Sequence, residues 1–149
     1  MQLVDADEPN SHALSLAAPP GAYQKLSIGI GLPAACNAGD PTLRVFPLNA
    51  DGGMYWTWGT RYVFLRMEGT RWVEPDWVKL GYHIGFDESY RAVELEAELV
   101  LGGGAEAPTL VVDVARLSTS PDGESMIHGL MPDWIIERLS DEFFLRPVP

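Results

Sequence analysis

The chain has 149 residues, 46% hydrophobic and 21% charged, which fits one globular domain over 1–149 with a core that needs no disulfide or metal. Its net charge of −11 argues against nucleic acid, whose phosphates demand a basic face. No apolar run nears the roughly 18 residues that span a bilayer, and a lone cysteine, Cys36, excludes an internal disulfide and a multi-cysteine zinc site.

Residues 1–5 carry no basic segment and no long apolar stretch, so no secretion signal is expected within them. Residues 12–16 alternate as a strand does, and Pro19-Pro20-Gly21 follows as a turn. Leu26, Ile28 and Ile30 alternate with Lys25, Ser27 and Gly29, the pattern of a half-buried strand. From 32 to 49 the pattern dissolves into Pro, Gly, Asn and Asp, a loop long enough to imply function or close packing. Cys36 within it reads as a small loop or buried residue.

Gly53-Met54-Tyr55-Trp56-Thr57-Trp58 comes next, with two of the five tryptophans two residues apart. In an extended segment Met54, Trp56 and Trp58 point to one side. Indole is both the largest side chain and readily oxidised, so the pair is either a packing anchor or a redox-sensitive site.

Strands follow at 62–67 and at 78–86, the second holding Tyr82-His83-Ile84-Gly85. Taken alone, His83 reads as a core histidine bonded to backbone, with metal ligation as the alternative. His12 and His128 read as surface residues. The clearest alternation sets Val93, Leu95, Ala97 and Leu99 inward against Glu94, Glu96 and Glu98 outward, a solvated sheet face or a weak cation site. A further strand is expected over 109–117. At the C-terminus the period changes: Pro132 suits a first helical position, and Ile136, Leu139 and Phe143 predict an amphipathic helix over about 132–144. The sum is a mainly β fold, an antiparallel β-sandwich closed by one short helix. No nucleophile–base pair, paired carboxylates or phosphate loop appears, so no enzyme is expected.

The order of segments Tyr23 to Pro33, Asn37-Ala38-Gly39-Asp40-Pro41, Pro47-Leu48-Asn49, Gly53 to Trp58, Arg61-Tyr62-Val63-Phe64-Leu65 and Tyr82-His83-Ile84-Gly85 resembles the MbnP-like family. Its members are extracytoplasmic copper-binding β-sandwich proteins, and the likeness runs from about 14 to 117. The resemblance implies a periplasmic or extracellular location and copper(I) held by histidine and by a tryptophan oxidised to kynurenine. It also implies a di-haem peroxidase-like partner that performs the oxidation. By position His83 matches the family's histidine, and Trp56 and Trp58 its paired tryptophans; which of the two is modified stays open. Several relatives carry Asn-His-Ala-Asp-Pro where this chain has Ala38, so one histidine donor is absent, leaving Met54, Cys36 or another histidine to assist His83. The family's first strand also has no counterpart here, which predicts an open sheet edge covered by a second copy or a partner chain. A metal-free structural or interaction subunit is the rival reading.

Overall fold

The computed structural model describes residues 1–13, 17–102, 109–112 and 114–146. Its strands are β1 (Gly21–Ile30), β2 (Tyr55–Trp56), β3 (Arg61–Val73), β4 (Asp76–Gly85), β5 (Arg91–Leu101), β6 (Thr109–Val112), β7 (Met126–Gly129) and β8 (Phe143–Arg146). Three short helices accompany them: α1 (Ala34–Asn37), α2 (Val114–Leu117) and α3 (Asp133–Glu142). The mainly β class with a short C-terminal helix is therefore as expected, and among the described residues the strands pair in three sets, β1–β5, β2–β3–β4–β7 and β6–β8.

β1 and β5 pair antiparallel from Gly21↔Leu101 to Ile30↔Arg91, with one irregularity between Tyr23 and Lys25. Along β5 the alternation does what its pattern requires. Val93 and Leu95 are buried while Glu94, Glu96 and Glu98 face solvent. Lys25 on β1 reaches both Glu94 (3.5 Å) and Glu96 (3.2 Å), so this acidic face is already bridged by a cation of the chain itself. Exposed pairs of this kind contribute little, about 0–1 kcal/mol.

The second ladder runs β2–β3–β4–β7. β3 and β4 form a long hairpin, from Val73↔Asp76 at its tip to Val63↔Gly85 at its base. The β4–β7 pairing departs from the antiparallel expectation: it is parallel, with Gly81↔Met126, Tyr82↔Ile127, His83↔His128 and Ile84↔Gly129. The main core lies on one face of this pair. Leu80, Tyr82 and Ile84 from β4 and Ile127 from β7 pack with Leu117, Met131, Ile135 and Leu139. Because strand side chains alternate, Gly81, His83, Met126 and His128 belong to the opposite face.

Three sequence expectations shift. His12 closes a 3-10 turn (Pro9–His12) rather than starting a strand, and 14–16 lie outside the described residues. The run from 109 divides into β6 and then α2, because Leu117 serves the core from a helical turn. The C-terminal helix ends at Glu142, and Phe143 opens β8, which pairs with β6. Pro132 sits one residue before the helix and its carbonyl accepts from Ile135 and Ile136. The helix face toward the core is carried by Ile135 and Leu139, four residues apart, with Ile136 only partly buried.

The irregular stretch from 32 to 49 is tied down by polar contacts. Buried Asn37 donates to Asp87 Oδ1 (2.7 Å) and accepts from the Tyr62 N–H (3.2 Å), anchoring α1 to the start of β3. Tyr62, itself buried, donates its hydroxyl to the Leu48 carbonyl. Asp40 caps the turn Pro41–Leu43 through Thr42 N–H (2.8 Å). At Gly85 a Cβ would meet Thr60 Cβ at 2.4 Å and the Tyr62 carbonyl at 2.7 Å, so only glycine lets β4 close against β3 there.

Candidate functional site

The face of β4 turned away from the core carries a chain of contacts centred on His83. Its side chain is only 12% exposed. One ring nitrogen, Nε2, lies 2.7 Å from Glu68 Oε1 on β3. The other, Nδ1, lies 3.1 Å from Nδ1 of His128 on β7, the two rings being tilted at 60° with centroids 4.8 Å apart. The bonds of His83 thus go to side chains, in place of the backbone bonds expected of a core histidine.

Arg66, at 2.7 Å from Glu68 Oε2, and then His83 hold the Glu68 carboxyl below its ordinary range. An ionised carboxylate only accepts, so His83 Nε2 donates to Glu68, and whenever the ring carries a single hydrogen its Nδ1 lone pair is left facing His128. A carboxylate that orients the far nitrogen of an imidazole is the arrangement that raises ligand basicity at metal sites.

The tryptophans complete the cluster. Trp56 sets its ring edge-on to His83, with centroids 4.8 Å apart at 75°. Trp58 stacks on Trp56 at 5.5 Å and 14°, so the two indoles lie on one side as their alternate spacing predicts. They are not core anchors. Trp56 is half-buried and Trp58 is 80% exposed, while the fully buried aromatic positions belong to Tyr62 and Tyr82.

Cys36 and Met54 stand outside this chain of contacts. Cys36 is half-buried in α1, where its carbonyl accepts from Arg44. Met54 precedes β2, and its carbonyl accepts from the Val63 N–H at 2.7 Å. Ala38 is exposed at the end of α1. Sequence reasoning placed His128 on the surface, and it is exposed; what it missed is that His128 meets His83. The alternation Met126-Ile127-His128 was visible, but the parallel register that lays it beside β4 is not a local property.

Two imidazole nitrogens 3.1 Å apart on neighbouring strands would both be available to one ion, and imidazole suits copper. The residues present therefore fit such an ion, with the hydrogen now shared between the two Nδ1 atoms as what it displaces. Among the described residues no group of three or more His, Cys, Asp and Glu is gathered as a metal cage. His83 and His128 would hold such an ion by two imidazoles, and further donors would have to be of another kind.

The MbnP family model matches residues 1–129, a span that includes Trp56, His83 and His128. Nothing among curated proteins or solved structures matches the chain.

Proposed function

The chain belongs to the MbnP family, and on that premise we propose that it is a non-enzymatic periplasmic or extracellular protein that binds copper(I) between His83 and His128. The observation that carries the reading is the pair of Nδ1 atoms 3.1 Å apart on neighbouring strands, with the His83 ring edge-on to Trp56. His83 offers its Nδ1 lone pair because Glu68 occupies Nε2, and Glu68 is held ionised by Arg66. His128 turns the same nitrogen toward it. His83 and His128 would hold copper(I), a soft, singly charged centre that imidazole suits.

Of the two indoles Trp56 is the one to be converted to kynurenine, because only its ring touches His83. Oxidative cleavage of the indole C2–C3 bond by a partner of the di-haem peroxidase-like class, with C2 leaving as formate, would give this position an amine and carbonyl groups that indole lacks, adding a donor next to the imidazoles. Trp58 covers Trp56 from outside and, being exposed, is the first indole that a di-haem peroxidase-like oxidising partner would meet.

Copper(I) titration against a chromophoric chelator tests the site with wild type, His83→Ala and His128→Ala. Wild type should bind one equivalent and each variant should lose most of that affinity. Equal, poor binding by all three would favour the rival, a metal-free interaction subunit. That rival draws support from the hairpin tip, where Trp72 and Trp77 are 54% and 67% exposed.

A further inference from the structure

We infer that the thioether of Met126 is a further donor to the same soft ion, so that the unmodified side chains of this chain supply two imidazoles and one sulfur; the inference rests on the copper reading above. Met126 and His128 are alternate residues of β7, and Ile127 between them is buried in the core. The methionine and the histidine therefore share the outer face of the strand. In the parallel register His128 stands against His83 and Met126 stands against Gly81.

Gly81 gives the sulfur its place. A Cβ at this position would lie 2.8 Å from Met126 Cε and 3.0 Å from Sδ. The thioether thus lies across β4 in the space that any other residue would fill, on the face that carries His83 two residues further on. Both side chains line one groove of about 420 Å³, together with Glu68, Thr70 and Lys79. Successive residues on one strand face are about 6.6 Å apart, a span that methionine, with three rotatable side-chain bonds, can adjust by rotamer change.

The chemistry discriminates between the groups around this groove. Glu68 is a hard donor, already engaged with Arg66 and His83. Lys79 is a cation. Met126 is soft, uncharged and 54% exposed although an apolar core is within reach of its own strand. Thioether sulfur selects copper(I) over harder divalent ions. It also answers the shortage of nitrogen donors left by two histidines.

Met126→Leu keeps the volume and the packing over Gly81 while deleting the sulfur, an exchange that cores tolerate. Chelator competition should show copper(I) affinity reduced about tenfold or more relative to wild type. X-ray absorption of the copper(I)-loaded protein should show a sulfur neighbour in wild type and in Met54→Leu, and none in Met126→Leu. Unchanged affinity in Met126→Leu, or a sulfur neighbour that persists there, overturns the inference. His83→Ala run in parallel separates the two claims. Copper lost with His83→Ala but untouched by Met126→Leu removes the sulfur and leaves the histidine site standing; a wild type that binds no copper(I) removes both.

Discussion

Two pairs of tryptophans in this molecule have the same ring separation, 5.5 Å, and opposite surroundings. Trp72 and Trp77 face each other directly across the β3–β4 hairpin, meeting edge to face at 63°. They close the end of the β3–β4 hairpin, and among the described residues neither ring meets a titratable one. Trp56 and Trp58 come from one short segment, lie nearly parallel, and abut an imidazole that is itself wired to a second imidazole and a carboxylate. The indoles are chemically identical in the two places. The difference lies in the neighbours, and it teaches that what sets the proposed site apart is the donors the fold delivers beside one tryptophan pair and not the other.

The sharpest way to break this contrast is oxidation. Exposed to a high-potential haem oxidant, the protein should gain kynurenine in the peptide holding Trp56 and none in the peptides holding Trp72 or Trp77. The change is readable by mass as the loss of one carbon and gain of one oxygen. Modification spread evenly over all exposed indoles would erase the distinction. Next in size, His83→Ala should weaken copper(I) binding about 100-fold or more, beyond the range that outer partners command, whereas Trp77→Ala should leave it unchanged in the same titration. Glu68→Gln keeps the shape but removes the carboxylate that places the His83 proton. Copper(I) affinity should fall about 10–100-fold, the usual effect of losing an orienting group behind a ligand. Smallest is Trp72→Ala, expected to lower stability by about 0.5–1.5 kcal/mol for the aromatic pair itself, beyond the area lost. Denaturant unfolding measures that change, and copper binding should be indifferent to it.

Much of the framework was legible because it obeys local rules. The alternation from 93 to 99 foretold which side of β5 is buried, since strand side chains point to opposite faces residue by residue. The alternate spacing of Trp56 and Trp58 foretold that their rings lie together. Local rules failed where tertiary packing outweighed them. Leu117 looked like the end of a strand and is the buried end of α2. Phe143 fell on the apolar stripe of the predicted helix, but β8 begins there and pairs with β6. Asn37 in the Asn-Ala-Gly-Asp-Pro segment drew attention only for its missing neighbour histidine. In the fold it is the buried strut between Asp87 and the Tyr62 backbone.

The sequence by itself determined the mainly β class, the faces of its strands, and the presence of His83 and Trp56 in one recognisable series of segments. Those properties depend on neighbours a few residues away, where period and turn chemistry are decisive. Only the tertiary structure decided that residues 83 and 128 would meet, through a parallel pairing of β4 and β7 that no alternation encodes. Strand pairing is set by which faces the whole core needs to bury: with Tyr82, Ile84 and Ile127 turned toward α3, the two imidazoles and Met126 are left together on the other side.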